Sequence, residues 1–182
     1  MRNALLMLSS TLLLSACASS PAPVARAPEA QPTPRVIADT GTARKAVANL
    51  ASSSGSLVSG RVELAQATEG VRITGTIGGL TRNGAHGLQV HERGNCSAVD
   101  ASSAGRYYDP LSGVRQDGAV GEFPDRIVAD PRGVAQVDLL VRGAVLGGGA
   151  DNDIAGRALL VLGATRGAIS ARVACGVITA QR

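Results

Sequence analysis

From Lys45 to the C-terminus, apolar residues recur at every second position in short runs separated by glycine-bearing turns. In the run that opens near Val58, residues Val58, Gly60, Val62 and Leu64 fall on one side, and Arg61 and Glu63 on the other. After a turn at Thr68, Glu69 and Gly70, residues Val71, Ile73, Gly75 and Ile77 share one face, and Arg72, Thr74 and Thr76 the opposite one. Successive side chains of a strand point to opposite faces, so this alternation predicts half-buried antiparallel strands. Residues 45–50 form a first strand on the same reading, and further runs lie at 127–129, 134–141, 158–162 and 171–180. With the stretch around 84–92, that makes about eight strands across residues 43–182 and no convincing amphipathic helix. An all-β domain of this kind closes as an eight-stranded Greek-key β-sandwich or flattened barrel.

Composition fits this picture and narrows it. The 23 glycines suit a turn-rich all-β chain, and aromatic residues make up only 2%. The core must therefore be built from Val, Leu, Ile and Ala, with Tyr107, Tyr108 and Phe123 as the only rings. The net charge of +4 is carried almost wholly by arginine, in no cluster interleaved with aromatics. Nucleic acid is therefore not an expected partner; a mildly basic soluble surface is.

The N-terminus follows a different rule. Met1-Arg2-Asn3 precedes an apolar run from Ala4 to Ala16, the layout of a secretory signal peptide and too short for a stable membrane span. The run ends Leu14-Ser15-Ala16-Cys17, which resembles a bacterial lipobox and implies cleavage of residues 1–16 and acylation of the Cys17 thiol. Several acyl chains on one residue anchor durably, where a single chain does not. Ala18 after the cysteine, in place of Asp, points to the outer membrane, with the domain in the periplasm. Residues 17–42 are rich in Ala, Pro and Ser, lack a hydrophobic period and read as a disordered tether. Fully extended, the tether reaches roughly 80 Å at about 3.3 Å per residue. With Cys17 assigned to lipid, Cys96 and Cys175 are left. Two cysteines in an exported domain are expected to pair, two buried free thiols being the alternative.

Several stretches are similar to one family in particular. Gly79-Leu80-Thr81-Arg82-Asn83-Gly84-Ala85-His86-Gly87-Leu88-Gln89-Val90-His91-Glu92 resembles the G-L-x-x-x-G-x-H-G-F-H-V-H-E of Cu/Zn superoxide dismutases of the bacterial periplasmic type. Ser103 to Pro110 is similar to S-A-G-x-H-F-N-P, and Gly121 to Pro124 to G-D-L-P. Ile154 to Leu162 resembles I-x-G-R-x-L-V-V-H, and Arg172 to Ile178 matches R-x-A-C-G-V-I. The matches keep their order along the domain.

The resemblance implies the family's fold, but the metal positions it marks carry other residues. Copper would be held at Gln89, His91, Tyr107 and Leu162, and zinc at Tyr107, Arg115, Ala119 and Glu122. The whole chain holds two histidines, His86 and His91, and only His91 and Glu122 are plausible ligands. His86 matches a structural histidine that hydrogen-bonds across a loop. Arg172 matches the arginine that guides superoxide, here read mainly as a brace for the loop. Only nine residues join Leu162 to Arg172, so the family's long charged steering loop is trimmed. Copper redox chemistry wants several imidazoles in a fixed array. The expectation is thus a membrane-anchored lipoprotein whose dismutase-like domain binds no metal cofactor, is not catalytic, and serves as a binding or structural module. One alternative is a genuine dismutase with an atypical metal site. Another is a weak copper carrier using His86, His91 and a tyrosine, although residues five apart on a strand face opposite ways. The edge strands and the surface around Gln89, Tyr107 and Leu162 are candidate contacts for a protein partner or a second copy of the chain.

Overall fold

The computed structural model describes residues 35–114, 126–163 and 171–181. Eight antiparallel strands follow one another around a nearly closed barrel. In chain order the long ones are β1 (Lys45–Ser52), β2 (Ser59–Ala67), β3 (Gly70–Gly78) and β4 (Ala85–His91). A short hairpin follows, β5 (Tyr108–Asp109) with β6 (Gly113–Val114). Then come β7 (Arg126–Val128), β8 (Ala135–Arg142), β9 (Ala158–Leu162), β10 (Arg172–Val177) and β11 (Thr179–Gln181). The barrel order is β7-β4-β9-β10-β1-β2-β3-β8, with β11 continuing the pairing of β10 along β1. Chain neighbours β3 and β4 are therefore not sheet neighbours, which is the crossover of a Greek key.

The seam between β7 and β8 is closed by a tight turn. The Asp130 carboxylate accepts from the backbone N–H groups of Arg132 (2.8 Å) and Val134 (3.0 Å). Ala129 N–H donates to the carbonyl of Gly84 (2.9 Å), and Leu80 N–H to that of Gly133 (3.0 Å). These bonds satisfy backbone groups that an open sheet edge would leave to solvent or to another chain.

The predicted alternation holds in β1, β2 and β3. Ala46, Ala48, Leu50, Val62, Leu64, Val71, Ile73 and Ile77 are buried, while Lys45, Asn49, Arg61, Glu63, Arg72 and Thr74 are exposed. It breaks down in β4 and β9. All five residues of β9 are buried, as is every residue of β4 from His86 onward. Leu88, Val90, Leu159 and Val161 enter the main core. On the far side, Ala158, Leu160 and Cys175 pack with Ala101, Ala104 and Cys96 into a second, smaller cluster. The covering element is the segment 92–107. It doubles back through Glu92 N–H to Arg106 carbonyl and Arg93 N–H to Ala104 carbonyl bonds, both 3.0 Å.

The described residues include a stretch that precedes residue 43. Residues 35–42, placed by sequence in the tether, lie along the domain. The Arg35 guanidinium donates to the Tyr108 hydroxyl and to the carbonyls of Pro110 and Asp151, each at 3.2 Å. Ala38 exchanges bonds with the Asn152 amide, N–H to Oδ1 at 2.9 Å and Nδ2 to carbonyl at 2.7 Å. Asn152 also donates to the Gly143 carbonyl (2.7 Å). A strap held by backbone groups needs no apolar period, which is why its composition read as tether. Asn152 is buried. Asn152→Ala should therefore cost about 2 kcal/mol by leaving buried groups unpaired. Urea unfolding measures the loss, and amide exchange should show it spread over residues 36–42.

Candidate functional site

The outer face of β4 and β9 is where the sequence-marked positions gather. Gln89 pairs with Leu160 across the ladder and His91 with Ala158. Side chains two apart on a strand share a face. Gly87, Gln89 and His91 therefore stand beside Ala158, Leu160 and Leu162. The Leu162 side chain lies 3.3 Å from where a Cβ on Gly87 would sit, which places it on this face. Tyr107 reaches the same neighbourhood through a backbone bridge to His91. It also lines a narrow apolar cavity of about 20 Å³ with Leu88, Val90 and Leu139 on the core side. His86 does not join the group, having the opposite parity to His91; its Nδ1 lies 2.9 Å from the Leu162 carbonyl. Arg115, Ala119, Glu122 and Cys17 lie outside the described residues.

A disulfide and an arginine help to clamp segment 92–107 over this face. The Cys96–Cys175 disulfide, with Cα atoms 5.8 Å apart, ties it to β10. The expected pairing is thus present. Arg172, at the start of β10, donates to the carbonyls of Ala101 and Gly105, both at 2.7 Å. Its guanidinium thus holds two backbone carbonyls of the segment. Burial lowers its pKa, Asp100 opposes that shift, and Arg93 adds to it. Gly105 has φ +79°, and a Cβ there would fall 2.5 Å from the Glu92 carboxylate. Arg172→Lys should cost about 2 kcal/mol, because an ammonium cannot reproduce the two-pronged geometry. The change should be visible in urea unfolding, with faster amide exchange across residues 101–105.

The Gly105 carbonyl is shared. His91 Nδ1 lies 3.0 Å from it. A carbonyl only accepts, so the ring proton sits on Nδ1. Burial pushes the His91 pKa down to about 4; the Gly105 hydrogen bond opposes this, Arg172 adds to it, and Glu92 opposes it. The ring is neutral near pH 7, and Nε2 carries a bare lone pair. That Nε2 is buried with no hydrogen-bond partner among the described residues, and so is Nε2 of Gln89. Both residues are only 4% exposed.

On this face the described side chains offer one imidazole nitrogen, one amide and an aliphatic Leu162, whereas copper cycling between two oxidation states calls for several imidazoles. Tyr107 ligates only as a phenolate, which its reference pKa of about 10 disfavours. Among the described residues, no three His, Cys, Asp or Glu side chains cluster as a metal site would need.

Two features of the site were given no role by the sequence reading, although both fall within the matched motifs. One is the Gly105 carbonyl as the meeting point of His91 and Arg172; only the glycine itself hinted at a special backbone. The other is Arg157, whose guanidinium stacks 3.6 Å over the Tyr108 ring and donates to the carbonyls of Asp153 (2.7 Å) and Glu92 (2.9 Å).

A family model described as copper/zinc superoxide dismutase (SODC) matches residues 58–178. Over an alignment of 156 residues the chain is 34% identical to superoxide dismutase [Cu-Zn] 2 of Brassica juncea, covering 75% of this chain and 98% of that protein.

Proposed function

Because the chain belongs to the copper/zinc superoxide dismutase family, we propose that it keeps the family's framework without its redox chemistry, as a non-catalytic binding or structural module. The observation that carries this reading is the donor set on the outer face of β4 and β9. Superoxide dismutation requires a centre that takes up and returns one electron in turn, and no ordinary side chain does so. A neutral imidazole, an amide and a leucine do not assemble the copper centre that would. Meanwhile the disulfide and the Arg172 brace hold the surrounding segment in place. The N-terminal signal, the lipobox-like Leu14-Ser15-Ala16-Cys17 and the Ala/Pro/Ser-rich residues that follow support a lipid anchor on Cys17. In this reading the domain hangs in the periplasm from a bacterial membrane, the outer one on the evidence of Ala18, and meets a protein partner or a second copy of itself there.

The test is metal content and superoxide consumption on the full chain, purified from membranes with the disulfide intact and offered copper and zinc. We expect no copper retained against a mild chelator and no superoxide consumption above a metal-free control. Near-stoichiometric copper with consumption that disappears in His91→Ala would overturn the proposal and make the chain a dismutase with an atypical site. Copper retained weakly through His91 without consumption would instead support a carrier.

A further inference from the structure

Gln89 Nε2 and His91 Nε2 are two buried polar atoms on one face of one strand, each without a partner among the described residues. Unpaired buried polar groups are rare in folded proteins, because each forfeits its hydrogen bonds to water. Here the two are complementary: an amide N–H₂ that must donate and an imidazole lone pair that must accept. We propose that Gln89 and His91 together hold one neutral, water-sized molecule that both accepts and donates a hydrogen bond, with water as the resident ligand. This rests on the metal-free reading above and says what fills the place of the metal.

Charge and hydrogen-bonding capacity select that ligand class. An anion would face the bare lone pair of His91, and a cation would face the Gln89 N–H₂ group. With the amide nitrogen turned to this face, a molecule carrying both functions satisfies both atoms. Side chains two apart on a strand stand about 6.6 Å apart at their bases. A direct N–H···N bond of about 3 Å would need both to bend inward strongly, whereas one bridging atom with two ordinary bonds at a tetrahedral angle spans about 4.7 Å. Gly105 closes one side, its carbonyl already shared by His91 and Arg172. Ala158, Leu160 and Leu162 line the face with hydrocarbon. Such a lining disfavours a second polar molecule. The site therefore suits one water and not a cluster.

The test uses the full chain with its disulfide intact, and water itself as the probe. Nuclear Overhauser spectra should show the Gln89 side-chain amide protons in contact with a long-lived water. The His91 Nε2 nitrogen shift should be that of a hydrogen-bonded acceptor. Water relaxation dispersion should lose one long-lived molecule in Gln89→Met, a substitution of similar volume. A through-bond coupling between the Gln89 and His91 nitrogens would overturn the proposal by showing a direct bond. An unchanged number of long-lived waters in the variant would also overturn it. Metal content is read on the same sample. Copper bound there sinks the metal-free reading and this proposal with it, whereas absence of both metal and ordered water sinks this proposal alone. If Gln89→Met does not fold, the wild-type amide-to-water contact decides.

Discussion

Replacing both Cys96 and Cys175 by serine is expected to lower the unfolding free energy by about 4–5 kcal/mol, from the chain-entropy cost of the closed loop. The two cysteines are 79 positions apart, so the bridge removes a large share of the unfolded chain's freedom. The native state loses more than a cross-link. Cys175 packs against Ala158, Leu160, Ala101 and Ala104, and this small cluster is what seals the outer face of β4 and β9. With the bridge gone, segment 92–107 depends on Arg172, Arg157, His91, the Ser54 N–H to Val99 carbonyl bond and its own backbone bonds. Urea unfolding of the oxidised protein and of the double serine variant at pH 7 measures the difference. A loss below about 1 kcal/mol would mean that the bridge neither restricts the unfolded chain nor holds the segment. Reduction of the wild-type protein should reproduce the variant's midpoint.

The second large effect is expected from acid. His91 titrates near 4 in the folded protein, against about 6.5 when unfolded. Between those values the unfolded chain binds more protons than the folded one, so stability rises with pH through that window. The full benefit is present above about pH 6.5 and is lost as pH falls towards 4. The difference across the window is about 3 kcal/mol at 1.36 kcal/mol per unit. Burial is the main cause. The nearby Arg172 guanidinium sharpens it, since a protonated ring would set a second cation beside the same Gly105 carbonyl. Other groups titrate in this range too, so the comparison is with His91→Leu. Its stability should change less steeply between pH 4 and 6.5, by up to one proton's worth of slope. Parallel curves for the two proteins would refute the assignment.

How readily each element could be read depends on how many of its faces meet water. β2 and β3 are covered on one side only, so Arg61, Glu63, Arg72 and Thr74 mark the solvent face and the alternation is plain in the letters. β9 is buried on both sides, and Ala-Leu-Leu-Val-Leu carries no period at all. Its place came from its short continuous apolar run and not from alternation. The disulfide was legible by counting cysteines on the expectation of an exported domain. The docked strap at 35–42 was not, because it is held by bonds from Arg35, Asn152 and Asp151 that join positions more than 70 residues apart.

The candidate site divides in the same way. Which side chains stand at residues 89, 91 and 162 is written in the chain, and so is the shortage of imidazole, because ligand chemistry belongs to the residue type. The shared face of Gln89 and His91 also follows from their spacing, since a strand has a period of two. That His91 is neutral, that its free nitrogen is the bare one, and that Arg172 is spent on backbone carbonyls depend on burial and on a carbonyl at Gly105. Burial and hydrogen bonding act through space between segments distant along the chain. The sequence by itself therefore determined the donors available to this protein, and only the folded barrel decided how their protons and lone pairs are arranged.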